Sequence, residues 1–381
     1  MMSDHDIEEI VMTKKTIAEE ILEAVEKKSG YSEVAESIRA SVEEDEAPAR
    51  VSEEPPREIS IEEGAGVDPA TGVGYIIKKF SEVFGFDCSK HSDIPDHAVK
   101  IWDDGFPGVP EVADWYIPDK KVLGEISMAY HAGLIANLVG PTGAGKNQDL
   151  EYFCSVMKIP YTRIEMNEEV AMDKVFGKTD ITDGDTVFSP GLFPRSMKLP
   201  GIVVVDEFSR GPAYAMMMFQ RPFDRREFVA YESKAEDILL KPHPDWQIFL
   251  TDNTLGNGDD MDLYVASNVQ DSALINRVEM VIHKDYMGRP DERKIISKLS
   301  PEMGTEQVAG LAKFSYLMHQ GFKKRQIRSA FSPRNLKSVC TLYNRGMSLQ
   351  AAVFYNFISR CSESEQSDVK ESWRAVFGGD V

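Results

Sequence analysis

With 381 residues, 42% hydrophobic and 28% charged, the chain is large enough for two or three compact units and has the composition of a globular protein. No apolar run approaches the roughly 18–20 residues of a membrane span, and the acidic start Met1-Met2-Ser3-Asp4-His5-Asp6 is unlike a secretory leader, so a cytosolic protein is expected. Of the net charge of −20, −13 falls in residues 1–68; a surface of that sign repels phosphate backbones and disfavours nucleic-acid binding by the whole chain, a local basic pore loop excepted.

The first 65 residues read as an acidic extension and linker. Residues 13–28 have the pattern of an amphipathic helix, with Thr16 and Glu19 as a capping box and Ile17, Ile21, Leu22 and Val25 on one face. A second short helix is expected over 32–42. The stretch from Glu43 to Gly64 is rich in Glu, Pro and Ser, the composition of a linker. Two readings of the extension stand: a solvated tail and a partner-docking arm. A pre-core segment over 66–125 precedes the main domain.

From about residue 75, apolar strands alternate with helical stretches, which predicts an α/β fold with a mostly parallel sheet. The expected strands are Leu134 to Val139, Tyr161 to Met166, Ile202 to Val205, Gln247 to Thr251 and Val278 to His283. After Pro290 the stretches from Asp291, Thr305, Ser332 and Ser348 read as helices. The expected units are an α/β nucleotide domain over 126–288, a small all-helical domain over 289–361 and a tail over 362–381. The four cysteines, Cys88, Cys154, Cys340 and Cys361, form no CxxC pair; they point to reduced, mostly buried thiols rather than disulfides or zinc.

Gly140-Pro141-Thr142-Gly143-Ala144-Gly145-Lys146-Asn147 follows one of these strands and opens a helix over Asp149 to Met157. That context identifies a phosphate-binding loop: glycines let backbone N–H groups turn inward, the helix terminus adds a positive dipole end, and Lys146 supplies a point charge. Asn147 stands where Ser or Thr normally offers Mg²⁺ a hydroxyl. Its amide oxygen can ligate a hard cation, so either it tunes a working ATPase or the site binds nucleotide and turns over poorly. About sixty residues on, Ile202-Val203-Val204-Val205 ends in Asp206-Glu207; Asp206 suits the Mg²⁺ shell, and Glu207 can orient and deprotonate an attacking water. The strand ending at Thr251 runs into Asp252-Asn253-Thr254. Asn253 is the candidate for hydrogen-bonding the water or γ-phosphate, against simple turn chemistry.

These motifs, with Phe249 to Gly258, Asn276-Arg277 and Ser332-Pro333-Arg334, resemble those of MoxR-type AAA+ ATPases. Within that group the chain is most similar to the CobS-type ATPase subunit of aerobic cobaltochelatase, through Val83-Phe84-Gly85-Phe86-Asp87, Gln220-Arg221 and Pro242-His243-Pro244. The likeness spans about residues 80–360 and leaves out the extension.

The resemblance implies an AAA+ domain with a five-stranded parallel sheet, a helical lid, ATP and Mg²⁺ as ligands, and a homo-oligomeric ring of six. It also implies a hairpin between Phe176 and Phe193, turning at Thr182-Asp183-Gly184-Asp185. By the same likeness Arg277, after a helical stretch from Asp271 to Asn276, is an arginine finger reaching the neighbour's γ-phosphate; satisfying helix-end carbonyls is the alternative. Arg334 matches the lid arginine beside the nucleotide, and otherwise is a residue of a helix N-terminus. Arg210 matches an arginine common in the group. Three functions follow: a ring motor that remodels a partner protein, often one with a von Willebrand A domain; the ATPase subunit of a metal chelatase; and a nucleotide-gated scaffold with little turnover.

Overall fold

The computed structural model describes residues 64–182, 185–230, 238–253, 274 and 276–379. The two helices and most of the linker expected before residue 64 lie outside the described residues. Strand Gly64–Val67 (β1) pairs antiparallel with Gly74–Lys79 (β2), and β2 with Ala98–Trp102 (β3). Sheet structure therefore begins inside the stretch that reads as linker. Val99 and Trp102 of this sheet, with Phe80 of the short helix Phe80–Phe84 (α1), are buried in one core with residues of the main sheet.

Helix Lys120–Ala132 (α2) starts where the Asp119 carboxylate accepts from the N–H groups of Lys121 and Val122, and ends at Gly133 with φ 74°. It leads into Ala136–Val139 (β4), the glycine loop and helix Lys146–Met157 (α3), which begins three residues earlier than the sequence pattern indicates. Tyr161–Glu165 (β5) and the short helix Met172–Val175 (α4) follow. Gly177–Thr182 (β6) and Asp185–Pro190 (β7) then pair as the expected hairpin, with Thr182 opposite Asp185. Leu192–Ser196 (α5) precedes Gly201–Asp206 (β8), and Ala213–Met217 (α6) and Gln220–Arg225 (α7) come after it. Phe228–Ala230 (β9) and Ile238–Leu240 (β10) form a second antiparallel pair before Trp246–Asp252 (β11) and Met280–His283 (β12).

The main sheet is five-stranded and entirely parallel, in the order β12-β4-β11-β8-β5. Every residue of β4, β8 and β11 is buried, as the continuous apolar runs of a sheet covered on both faces require. Register aligns the strand ends: Thr251 lies beside Asp206, and Asp252 beside Val139. The residues just after β4, β8 and β11 thus emerge at one edge, where α/β sheets bind ligands.

The lid consists of Arg289–Leu299 (α8), Thr305–Lys323 (α9), Pro333–Asn344 (α10), Leu349–Asn356 (α11) and Glu363–Phe377 (α12). The last of these corrects the reading of 362–381 as a tail. Ser362 and Glu365 make a capping box, and Val369 and Trp373 are buried in the lid core with Phe314. Contacts on two sides tie the lid to the α/β unit. Tyr286 donates its hydroxyl to the Thr142 carbonyl at 3.0 Å and stacks on His319 of α9, centroids 4.0 Å apart. On the other side Lys298 donates to the Asp114 carbonyl at 3.0 Å, and the Lys337 ammonium lies 5.8 Å from the Trp115 ring. All four cysteines are buried and free. Among the described residues no helix is long and apolar enough to cross a membrane.

Candidate functional site

The glycine loop is held by close backbone approaches. A Cβ on Gly140 would lie 1.8 Å from the Lys284 carbonyl oxygen, and one on Gly143 would lie 2.7 Å from Ser332 Cβ. Gly143 and Gly145 have φ of 77° and 94°, conformations that turn amides inward at little steric cost only for glycine. Below the loop a buried ion pair, Lys284 Nζ to Asp149 Oδ2 at 2.7 Å, and the Tyr116 hydroxyl on Asp149 Oδ1 at 2.5 Å, pin the first turn of α3. Neither Tyr116 nor Lys284 stands out in the sequence, because their roles depend on partners about 33 and 135 residues away.

Above the loop is a cleft of about 400 Å³, lined among others by Thr142 to Asn147, Glu151, Arg163, Glu165, Asp206, Glu207, Thr251 to Asn253 and Arg334. Lys146 Nζ donates to the Gly140 carbonyl at 2.6 Å and to Asn253 Oδ1 at 2.9 Å. Burial pulls the Lys146 ammonium down to about 8, against the opposing pull of Asp252, Asp206 and Glu207.

Asp206, 4% exposed, accepts from Asn147 Nδ2 at 2.9 Å, from Arg163 Nε at 2.6 Å, from Arg163 Nη2 and from the Thr251 hydroxyl. Glu207 adopts the left-handed region at φ 53°, rare for a residue with a Cβ and a conformation that marks functional turns. Its carboxylate pairs with Arg210 Nη1 at 2.6 Å. Asp252 accepts from the Ser209 hydroxyl at 2.6 Å and from the Asn253 N–H at 2.8 Å, which fixes the turn carrying Asn253.

The structure thus gathers Gly143, Ala144, Gly145, Lys146, Asn147, Asp206, Glu207, Asn253 and Arg334 around one cleft. Gly140 and Pro141 contribute backbone carbonyls to Lys146. Arg277 does not line the cleft: it pairs through Nε and Nη2 with Asp224 of α7, Nη2 to Oδ2 at 3.0 Å. The helical stretch expected before it falls mostly outside the described residues. Sequence reasoning passes over Arg163, whose strand position resembles any charged residue at a sheet edge; only its contact with Asp206 singles it out.

The residues present fit a magnesium polyphosphate. Five carboxylates and three cations line the cleft, so a polyanion there needs further positive charge. Asn147 Oδ1 is buried without a hydrogen-bond partner and lies on the side chain whose Nδ2 touches Asp206. Amide and carboxylate oxygens are the hard donors that Mg²⁺ takes, usually with phosphate oxygens and water completing its shell.

A glycine loop between strand and helix, two acids after the third strand of the β4-β11-β8 array and a helical lid are the arrangement of the AAA+ fold. Residues 136–278 match the AAA domain of the dynein-related subfamily. The CobS subunit of aerobic cobaltochelatase from Sinorhizobium sp is 24% identical over 309 residues, covering 78% of this chain and 89% of the relative. Protein NorQ of Paracoccus denitrificans is 21% identical, covering 70% and 95%, and protein CbbQ of Hydrogenophilus thermoluteolus 24% identical, covering 33% and 46%. The chain thus carries an AAA-type domain and is similar over most of its length to CobS and NorQ.

Proposed function

We propose that the protein is an ATPase that works as a homo-oligomeric, six-membered ring and remodels a partner protein, with a von Willebrand A domain protein as the partner class. The carrying observation is the convergence of Lys146, Asn147, Asp206, Glu207, Asn253 and Arg334 on one cleft between sheet and lid. Lys146 and the inward-turned amides bind and orient the phosphate chain. Bound Mg²⁺ would be held by Asp206 and Asn147 and would supply electrostatic stabilisation of the phosphoryl oxygens. Glu207 accepts the proton of the attacking water once its carboxylate leaves Arg210, and Asn253 orients that water or the γ-phosphate. Arg334, on the lid, gives phosphate state a handle on lid angle.

The test is steady-state ATP hydrolysis and fluorescent-nucleotide binding on wild type, Lys146→Ala and Glu207→Gln. Lys146→Ala loses binding or hydrolysis, whereas Glu207→Gln binds and turns over roughly 10²–10⁴-fold more slowly. Wild-type turnover in both variants refutes the proposal. A second reading, a nucleotide-gated scaffold with little turnover, is favoured by the Glu207–Arg210 pair and by Asn147 at the hydroxyl position; tight binding without hydrolysis in wild type would select it. Likeness to CobS supports the ATPase subunit of a metal chelatase as the specific setting, and co-purification of the partner decides between that setting and a general remodeller.

A further inference from the structure

Asp206 has more donors than a carboxylate awaiting a metal needs. Arg163 forks its Nε and Nη2 onto Oδ2, the same oxygen that takes Asn147 Nδ2, while Oδ1 is taken by Thr251. Arg163 leaves β5 opposite Val204, two residues before Asp206 on β8, so strand register delivers it to that oxygen. Its side chain is 36% exposed, on the cleft. Two further carboxylates flank it: Glu165 Oε2 lies 3.8 Å from Nη2, and the charges of Arg163 and Arg334 pull against the burial that raises Glu151. A divalent ion held by Asn147 and Asp206 would compete with the guanidinium already on Asp206 Oδ2. Two cations on one partly desolvated carboxylate oxygen repel strongly, so one of them moves.

We infer that Arg163 is a positioning residue: it holds Asp206 in the metal-free protein and swings onto the nucleotide's phosphate chain when the divalent ion takes Asp206. This rests on the nucleotide-site reading and deepens it. The guanidinium fork suits phosphate oxygens as well as carboxylate, and the same cleft receives both. Metal alone then binds more weakly than metal with nucleotide, because evicting Arg163 leaves it only the solvent-screened Glu165 and the Glu151 carboxylate in place of Asp206. Metal and nucleotide bind together, because the phosphates accept the displaced charge.

The experiment measures Mn²⁺ binding by the electron paramagnetic resonance signal of the free ion, with and without a non-hydrolysable ATP analogue, on full-length wild type, Arg163→Gln and Arg163→Lys. Arg163→Gln should bind Mn²⁺ alone roughly tenfold or more tightly than wild type, the scale of one charge-assisted hydrogen bond. The same variant should bind the analogue more weakly in EDTA, since one phosphate-facing cation is gone, and should show less coupling between metal and nucleotide. Arg163→Lys keeps the charge and loses the fork, so its Mn²⁺ affinity should fall between the other two; it also provides the measurement if the glutamine variant misfolds. Mn²⁺ affinity unchanged or weakened in the variants overturns the inference, even where wild type binds nucleotide normally. A wild type that binds no nucleotide at any metal concentration overturns both this inference and the nucleotide-site reading.

Discussion

At the scale of single residues, the chemistry of the cleft is set by which charges are neutralised before any ligand arrives. Lys146 carries a pH signature. Burial lowers its ammonium to about 8 in the ligand-free protein, and phosphate oxygens restore the ordinary lysine value. Above about pH 8 the complex therefore holds a proton that the free protein lacks, so nucleotide affinity falls as pH rises, by up to about tenfold per unit. Calorimetry at pH 8.5 in buffers of different ionisation enthalpy should detect proton uptake on binding; none in wild type would contradict this account. Asn147 makes a different prediction. Its Oδ1 is unpartnered and its Nδ2 lies on Asp206, so Asn147→Thr should leave hydrolysis equal or faster and lower the Mg²⁺ concentration needed for half-maximal rate. Collapse of activity in that variant would mark the asparagine as a specialised requirement.

At the scale of elements, five expected strands match five observed ones to within two residues: β4, β8 and β11 are continuous buried runs, and the edge strands β5 and β12, each with one buried residue, are short β-rich stretches between turn or helix signals, all of it local information. The α12 helix was not legible in the same way. Its apolar positions Val369, Trp373, Val376 and Phe377 sit among charged residues, and only the lid surface they pack against turns them into a core face. Trp373 is 4% exposed and edges onto Phe314, so Trp373→Ala should cost about 3–5 kcal/mol of stability. Urea unfolding followed by circular dichroism checks this, and a loss below about 1 kcal/mol would return the helix to the status of an appendage. The site was legible wherever chemistry follows spacing, as in Gly140 to Asn147 and Asp206-Glu207. It was not legible where a role depends on register between distant strands, as for Arg163, or on a loop meeting a strand end, as for Tyr116 and Lys284.

At the scale of the whole molecule, the proposed ring ATPase makes Arg277 the test of whether one chain is a complete enzyme. Arg277 stands outside the cleft of its own chain, joined to Asp224 in an ion pair with side chains 27% and 46% exposed. An exposed pair of this kind is screened by solvent and contributes little. Arg277→Ala should keep fold and ATP affinity while lowering turnover roughly 10³–10⁵-fold. Wild-type activity per chain should rise with protein concentration. Mixing Arg277→Ala with Glu207→Gln should restore some hydrolysis, since an intact Glu207 site can then receive an intact Arg277. Normal turnover by the arginine variant, or concentration-independent activity down to a demonstrated monomer, would assign Arg277 to helix-end structure instead.

The contact between Trp115 and Lys337 has a practical corollary. Of the four tryptophans, Trp102, Trp246 and Trp373 are 1%, 3% and 4% exposed inside packed cores, where their surroundings change little as long as the fold persists. Trp115 is half-buried, with the lid cation Lys337 near its ring. Indole emission follows nearby charge and hydration, so the protein has a built-in optical gauge of lid position. Nucleotide should shift the emission of the native, unlabelled chain, and Trp115→Phe should silence that shift while leaving the other three indoles to report unfolding.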